Sequence, residues 1–108
     1  MLPVRWLPAH ALAEAFSSMT RMPTPVPVPP AVVWQTLADV FPEPPLVLSA
    51  AGYLNVCRRL AEAGTAGGRV YDAIVAATAA EAGARLLSAD RRAAATYALI
   101  GAEYDLVE

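Results

Sequence analysis

Two aspartates and a serine are the residues of this chain best suited to chemistry. Asp72, Ser88 and Asp90 lie within residues 69–92, RVYDAIVAATAAEAGARLLSADRR. Magnesium and manganese ions prefer carboxylate and water oxygens as ligands, and a nearby hydroxyl group can hold such carboxylates by hydrogen bonding. If the fold brings Asp72 and Asp90 together, this stretch predicts a site for a divalent cation.

The elements around the two aspartates are expected to place them at one edge of a sheet. Residues 70–82 are apolar almost all round a helical repeat, which predicts a buried helix that ends at Gly83. Residues 84–88 then predict a short core strand. Asp72 would lie in the first turn of the helix and Asp90 just past the strand. In a parallel α/β sheet, that edge is the one where ligands bind.

A simpler interpretation needs no metal. The first turn of a helix favours an acidic residue such as Asp72, because an anion is stabilised at the helix N-terminus. Asp90 is equally suited to be the N-cap of a following helix. Spacing alone favours these capping roles, because such caps are common in helices of every function.

The order and the flanking residues of the acidic segments match a known family. Residues 7–23, LPAHALAEAFSSMTRMP, carry Glu14, residues 71–92 carry the two aspartates, and residues 103–107, EYDLV, form the tail. Together these blocks resemble the PIN-domain ribonucleases, in particular the VapC toxins of bacterial toxin–antitoxin pairs. The resemblance implies an α/β fold of three layers, in which helices flank a parallel sheet.

The resemblance also implies a chemistry. Glu14, Asp72 and Asp90 would be the catalytic acids and would bind Mg²⁺ or Mn²⁺, and Ser88 would orient them by hydrogen bonding. Arginines beside the acids would contact RNA phosphates, although solvated loop positions are equally plausible for them: Arg69, Arg91 and Arg92. The family further implies a cytoplasmic endoribonuclease toxin that forms a homodimer and is neutralised by a VapB-type antitoxin.

One departure from the family leaves the activity open. PIN nucleases begin with a strand that ends in an aspartate and carries a principal metal ligand, whereas the first aspartate here is Asp39, inside a predicted helix. The chain therefore looks N-terminally truncated relative to the family by roughly 30 residues, the size of a strand and a helix. Two hypotheses follow: a ribonuclease whose first aspartate is dispensable or supplied upstream, and a catalytically deficient module that binds an antitoxin or a toxin subunit.

Composition limits the class of protein. With 108 residues, 56% of them hydrophobic and 17% charged, residues 1–108 are expected to form a single domain. The net charge of −2 argues against a generally basic surface for nucleic acid, so an RNA contact would be local. Cys57 is the single cysteine, which excludes an internal disulfide and fits a reducing cytoplasm. No apolar run is long enough for a membrane span. A receiver-like domain is disfavoured because the chain has no lysine.

The first half of the chain predicts a strand at 3–7, a helix from Ala9 to about Thr20 and an extended proline-rich connection at 23–30. The connection is more typical of a spacer than of a ligand for a proline-reading domain. Periodicity places Glu14 about 200° round the helix from Leu12, on the solvent side. His10 shares that side, so we expect it to be a surface residue without a catalytic role.

Further elements are expected on either side of residue 45. A helix should open at Pro29 and Pro30 and end at Pro42, with Trp34 as a partly buried aromatic on its edge. Residues 46–48 predict a second core strand, and Ser49 should cap the next helix. The expected buried stripe of that helix is Tyr53, Leu54, Cys57, Leu60 and Ala61. A final strand is predicted at 103–107.

Overall fold

The computed structural model describes residues 4–107. Its elements are α1 (Ala9–Arg21), α2 (Pro30–Val40), α3 (Ala50–Glu62), α4 (Arg69–Glu81), β1 (Leu86–Ser88), a short 3₁₀ helix (Arg91–Ala93), α5 (Ala94–Ile100) and β2 (Tyr104–Leu106). The chain divides into two compact units between Leu46 and Val47. The prediction that residues 1–108 form one domain stays a prediction. Among residues 4–107, no helix has the length and apolar character needed to cross a membrane.

In the first unit, α1 packs against α2 and the proline-rich connection at 23–30 is exposed throughout. The strands predicted at 3–7 and 46–48 are wrong for the described residues; Pro3 lies outside them. A single parallel bridge joins Pro8 and Leu46, where the Ala9 N–H donates to the Leu46 carbonyl at 2.7 Å. Proline has no N–H for a ladder, so prolines beside both segments stop the pairing from extending.

Helix α2 begins in the predicted place, with Pro30 in its first turn, and buries Val33 and Leu37. The prediction that Trp34 is partly buried is wrong, because 56% of the residue is exposed. Trp34 follows Val33 directly in the helix, so its side chain is turned by about 100° from the face that packs. Together with Phe41 and neighbouring residues of the first unit, Trp34 lines an open groove of about 250 Å³.

The second unit is built around α4, which packs against both α3 and α5. Ala73 and Ala76 on α4 are completely buried, and their small side chains let the neighbouring helices approach closely. The turn after α4 uses Gly83 in the predicted left-handed conformation, with φ of 67°. The buried cluster consists of Leu48, Val56, Leu60, Ala73, Ala76, Ala93, Tyr97, Ile100 and Ala102.

The two strands pair in parallel, so the predicted α/β fold with a parallel sheet is confirmed. Leu86 lies beside Tyr104 and Ser88 beside Leu106. Each strand is shorter than predicted, three residues in place of five. Apolar Leu86 and Tyr104 pack against the helical core, and the Val107 N–H donates to the Ser88 carbonyl at the end of β1.

Helix α3 is capped by Ser49 as predicted, but it buries a different face from the predicted one. Its buried residues are Val56 and Leu60, which share a face with Gly52. Four of the five residues in the predicted stripe are exposed: Tyr53, Leu54, Cys57 and Ala61. A Cβ built on Gly52 would lie 2.8 Å from Cγ of Leu48. The helix therefore packs on its glycine face, and the expectation that Cys57 belongs to the core is wrong.

Substitution of Gly52 by alanine tests this packing. The added methyl group would overlap the Leu48 side chain, so we expect the free energy of unfolding to fall by about 1–3 kcal/mol, measured by urea denaturation. Gly68→Ala is the matched control, since Gly68 has φ of −64° and open space around it. The free energy of unfolding of that variant should be unchanged or higher by about 0.4–1 kcal/mol. Equal stability of both variants would contradict the close approach.

An ion pair connects the two strands at the surface. The Arg85 guanidinium donates from Nε to Asp105 Oδ2 at 2.7 Å and from Nη2 to Oδ1 at 2.9 Å, and it lies 3.4 Å from Glu103. The hydrogen bond from Arg85 lowers the pKa of Asp105, and the same bond raises the pKa of Arg85. A lowered carboxyl pKa means that the pair stabilises the fold only while Asp105 is ionised.

The pH dependence of Asp105→Asn should show this contribution. The stabilisation from the Arg85–Asp105 pair is present above the ordinary aspartate pKa of about 3.9 and is lost as pH falls through the lower native pKa of Asp105. We expect the urea midpoint of the variant to lie slightly below that of the unmodified chain at neutral pH and to converge with it in acid. Because both groups are exposed, the difference should be small and should shrink in salt. A difference in urea midpoint that persists in acid would show that the Arg85–Asp105 ion pair is not its cause.

Candidate functional site

The chain turns sharply after β1, at Ser88 and Asp90. Ser88 Oγ accepts a hydrogen bond from the Asp90 N–H at 3.1 Å. Asp90 Oδ1 in turn accepts from the Arg92 N–H at 3.0 Å and caps the short 3₁₀ helix. The capping interpretation of Asp90 is therefore realised in the structure. Asp90 Oδ2 makes no hydrogen bond to any residue between 4 and 107, and 47% of the side chain is exposed.

The hydroxyl of Tyr97 reaches Ser88 from the core. The two hydroxyl oxygens are 3.0 Å apart, and Tyr97 is 5% exposed. Its ring meets that of Tyr104 edge-on, with centroids 5.5 Å apart and an interplanar angle of 63°. Sequence reasoning missed Tyr97. Its position four residues after Ala93 and three before Ile100, on the buried stripe of α5, was the available signal, because a buried tyrosine hydroxyl needs a polar partner.

Asp72 lies in the first turn of α4, as predicted. It is half-buried beside the completely buried Ala73, and it has an interaction partner within the chain. A helix that precedes a parallel strand runs back along it, so the start of α4 and the end of β1 belong to the same end of such a unit.

Glu14 lies on α1, in the first unit. Its Oε1 is 2.6 Å from Nε2 of His10, one helical turn earlier, and its side chain is 58% exposed. The predicted solvent-side position of Glu14 is confirmed. This pair gives His10 a partner one helical turn away, and His10 is half-buried; the expectation that it has no catalytic role stays a prediction.

Three arginines were predicted to contact RNA: Arg69, Arg91 and Arg92. All three are exposed. For Arg92, 96% of the side chain is accessible, and its Nε lies 3.8 Å from Asp90 Oδ1. A guanidinium group so placed can reach a phosphate without disturbing the core, yet an ordinary solvated position fits the same geometry.

Metal-binding side chains are not clustered among the described residues. Among residues 4–107, no three histidine, cysteine, aspartate or glutamate side chains of one unit form a group that could hold a metal ion. Magnesium is commonly bound by one or two carboxylates, with waters and substrate phosphates as the other ligands. In the second unit, Asp72 and Asp90 are the two carboxylates that the sequence predicts for that role. The assignment of Glu14, Asp72 and Asp90 as metal ligands stays a prediction.

Comparison with known proteins shows the family. The family model described as the PIN domain matches residues 2–99. This chain belongs to the PIN-domain family. It is 43% identical over 99 residues to Ribonuclease VapC40 from two strains of Mycobacterium tuberculosis, which covers 92% of this chain and 74% of that protein. It is 42% identical over 92 residues to Ribonuclease VapC27 of the same organism, with 85% of this chain and 66% of that protein covered. No solved structure matches the chain significantly.

The match confirms the predicted resemblance to VapC-type PIN domains. It covers two of the three segments on which that resemblance was based, and Glu14, Asp72 and Asp90 all fall within residues 2–99; the tail at 103–107 lies beyond the match. In this PIN domain, one Asp90 oxygen accepts a capping hydrogen bond and the side chain is 47% exposed, so a capping role and a ligand role can be separated by substitution.

Two substitutions of Asp90 isolate the capping role. Asp90→Ala removes the acceptor of the Arg92 N–H and should lower the free energy of unfolding by about 1 kcal/mol. Asp90→Asn keeps a side-chain oxygen and caps comparably, so its stability should stay close to that of the unmodified chain. Thermal and urea denaturation at neutral pH compare the three proteins. If alanine is tolerated as well as asparagine, the hydrogen bond does not stabilise the turn.

Proposed function

We propose that this chain is a PIN-domain endoribonuclease toxin of the VapC type, which cleaves RNA in the cytoplasm with the help of Mg²⁺ or Mn²⁺. The similarity to two proteins named ribonuclease, over 92% and 85% of this chain, carries the proposal. Asp72 at the start of α4 and Asp90 after β1 support it, because they supply carboxylates at the end of a parallel α/β unit.

In this proposal, the residues of the second unit bind and orient. Asp72 and Asp90 hold the cation through carboxylate oxygens, and Ser88 fixes the turn that carries Asp90. When bound, a divalent cation makes a coordinated water more acidic and neutralises charge on the phosphate. Exposed arginines contact the RNA backbone and position the substrate: Arg69, Arg91 and Arg92.

Glu14 completes the proposed set of catalytic acids. The family resemblance assigns it the second acidic position, and its exposed carboxylate on α1 is paired with His10. We propose that it supports the same ion directly or through water. Its contribution is separable from those of Asp72 and Asp90, because Glu14→Gln keeps the size of the side chain and removes its charge.

The proposed partners come from the relatives. The VapC names denote toxins of toxin–antitoxin pairs, so we propose a VapB-type antitoxin as the neutralising partner and a homodimer as the assembled toxin. Apolar side chains are available for such contacts on the exposed face of α3, where Leu54 is 75% exposed.

A second candidate function is a PIN-like binding module that engages an antitoxin or a toxin subunit without cleaving RNA. Within either unit, the described residues lack a group of three metal-binding side chains, which favours this candidate. The match also covers only 74% of VapC40. The two candidates differ in one measurable property, the metal-dependent cleavage of RNA.

Cleavage of labelled RNA by the purified chain, with and without Mn²⁺, tests the enzymatic proposal. We expect Mn²⁺-dependent cleavage that falls by at least about a hundredfold in Asp72→Asn and in Asp90→Asn, together with loss of Mn²⁺ binding in titration calorimetry. Glu14→Gln should also weaken cleavage.

Asp39→Asn is the control for that experiment, because Asp39 is an exposed residue of α2 that accepts a hydrogen bond from Gln35. It should cleave as the unmodified chain does. Unchanged cleavage in both Asp72→Asn and Asp90→Asn would refute the assignment of the acids. Binding of a VapB-type antitoxin by a chain that shows no cleavage would establish the binding module in place of the enzyme.

A further inference from the structure

A chain of hydrogen bonds runs from the core of the second unit to the backbone of Asp90. The Tyr97 hydroxyl lies 3.0 Å from Ser88 Oγ, and Ser88 Oγ accepts the Asp90 N–H at 3.1 Å. Asp90 Oδ1 then accepts the Arg92 N–H at 3.0 Å. Two hydrogen bonds therefore connect the buried Tyr97 to the backbone of Asp90, and a third holds the Asp90 side chain against the Arg92 N–H.

Tyr97 is the fixed end of this series of hydrogen bonds. It is 5% exposed and belongs to the buried cluster together with Ala73 and Ala76 of α4. The edge-on contact with Tyr104 restricts its ring from the side of β2. A side chain packed on several sides has one accessible rotamer, so the position of its hydroxyl is set by the core and not by solvent.

Ser88 is the residue of this series whose side chain can change rotamer. A serine hydroxyl can occupy three staggered rotamers, and in a half-buried residue at the end of a strand more than one of them can find water. The bond to Tyr97 favours the rotamer in which Oγ also accepts the Asp90 N–H. Hydrogen bonds in such a series strengthen one another, because each hydroxyl is polarised by its neighbour.

We propose that Tyr97 is a positioning residue for the Asp90 turn: its buried hydroxyl holds Ser88 in the rotamer that fixes the Asp90 backbone, and so presents the Asp90 carboxylate to a cation. The consequence for cation binding rests on the proposed function, whereas the ordering of the turn does not. If Ser88 only satisfied the buried Tyr97 hydroxyl, Tyr97→Phe would lower the free energy of unfolding without selectively loosening Asp90.

Tyr97→Phe removes the hydroxyl and keeps the ring. Hydrogen exchange of the Asp90 amide proton, followed by NMR in the metal-free chain, should accelerate roughly fivefold in this variant, because the amide loses part of its ordered acceptor. Tyr104→Phe is the matched control: it also removes a tyrosine hydroxyl, but one that is not part of the hydrogen-bond series to Ser88. Ile100→Val, a core change at a buried residue of α5, controls for a general loss of stability.

Binding of Mn²⁺ provides the second readout. Tyr97→Phe should weaken it by about tenfold, the size expected for removing a residue that orients a metal ligand. Ser88→Thr keeps the hydroxyl and should bind close to the level of the unmodified chain, whereas Ser88→Ala should not. Adding Tyr97→Phe to Ser88→Ala should change the affinity by no more than about twofold, because both act through the same contact.

The amide measurement decides the positioning role by itself. Faster exchange at Asp90 in Tyr97→Phe alone supports the proposal. An unchanged Asp90 amide in that variant, or equal acceleration in Ile100→Val, overturns it. If the unmodified chain binds no Mn²⁺, the proposed function fails, and the exchange result still decides whether Tyr97 orders the turn.

Discussion

Ala73 and Ala76, completely buried on α4, set how closely the helices of the second unit approach one another. Helix α4 packs against both α3 and α5, and side chains no larger than a methyl group keep the three backbones near each other. On α3, Gly52 has the equivalent effect toward Leu48. Small residues at these contacts leave little room for adjustment, because protein interiors are packed to crystal-like density.

This close packing determines how rigidly the candidate site is held. Asp72 is adjacent to Ala73, so the position of its backbone follows from the burial of α4. Tyr97 occupies the same cluster from α5 and extends its hydroxyl to Ser88. Both proposed ligands of the second unit thus depend on one core, Asp72 through its helix and Asp90 through hydrogen bonds.

Asp90 shows how a capping role and a functional role can coexist. One carboxylate oxygen accepts the Arg92 N–H, which fixes the side chain and starts the 3₁₀ helix. A carboxylate has several lone-pair sites, so the other oxygen remains able to bind a cation. The two interpretations that spacing left open are compatible, and the cap orients the group that the enzyme hypothesis requires.

The sequence alone determined the type and order of most elements, because helical periodicity, Ser49, Gly83 and the apolar run before Asp90 are local signals. Together with the acidic segments, they were sufficient to predict the family. Only the tertiary structure decided which face of α3 is buried, since both of its faces carry apolar residues and the approach to Leu48 selects the one with Gly52. It likewise brought Tyr97 to Ser88, nine residues away, through packing between elements that no local pattern specifies.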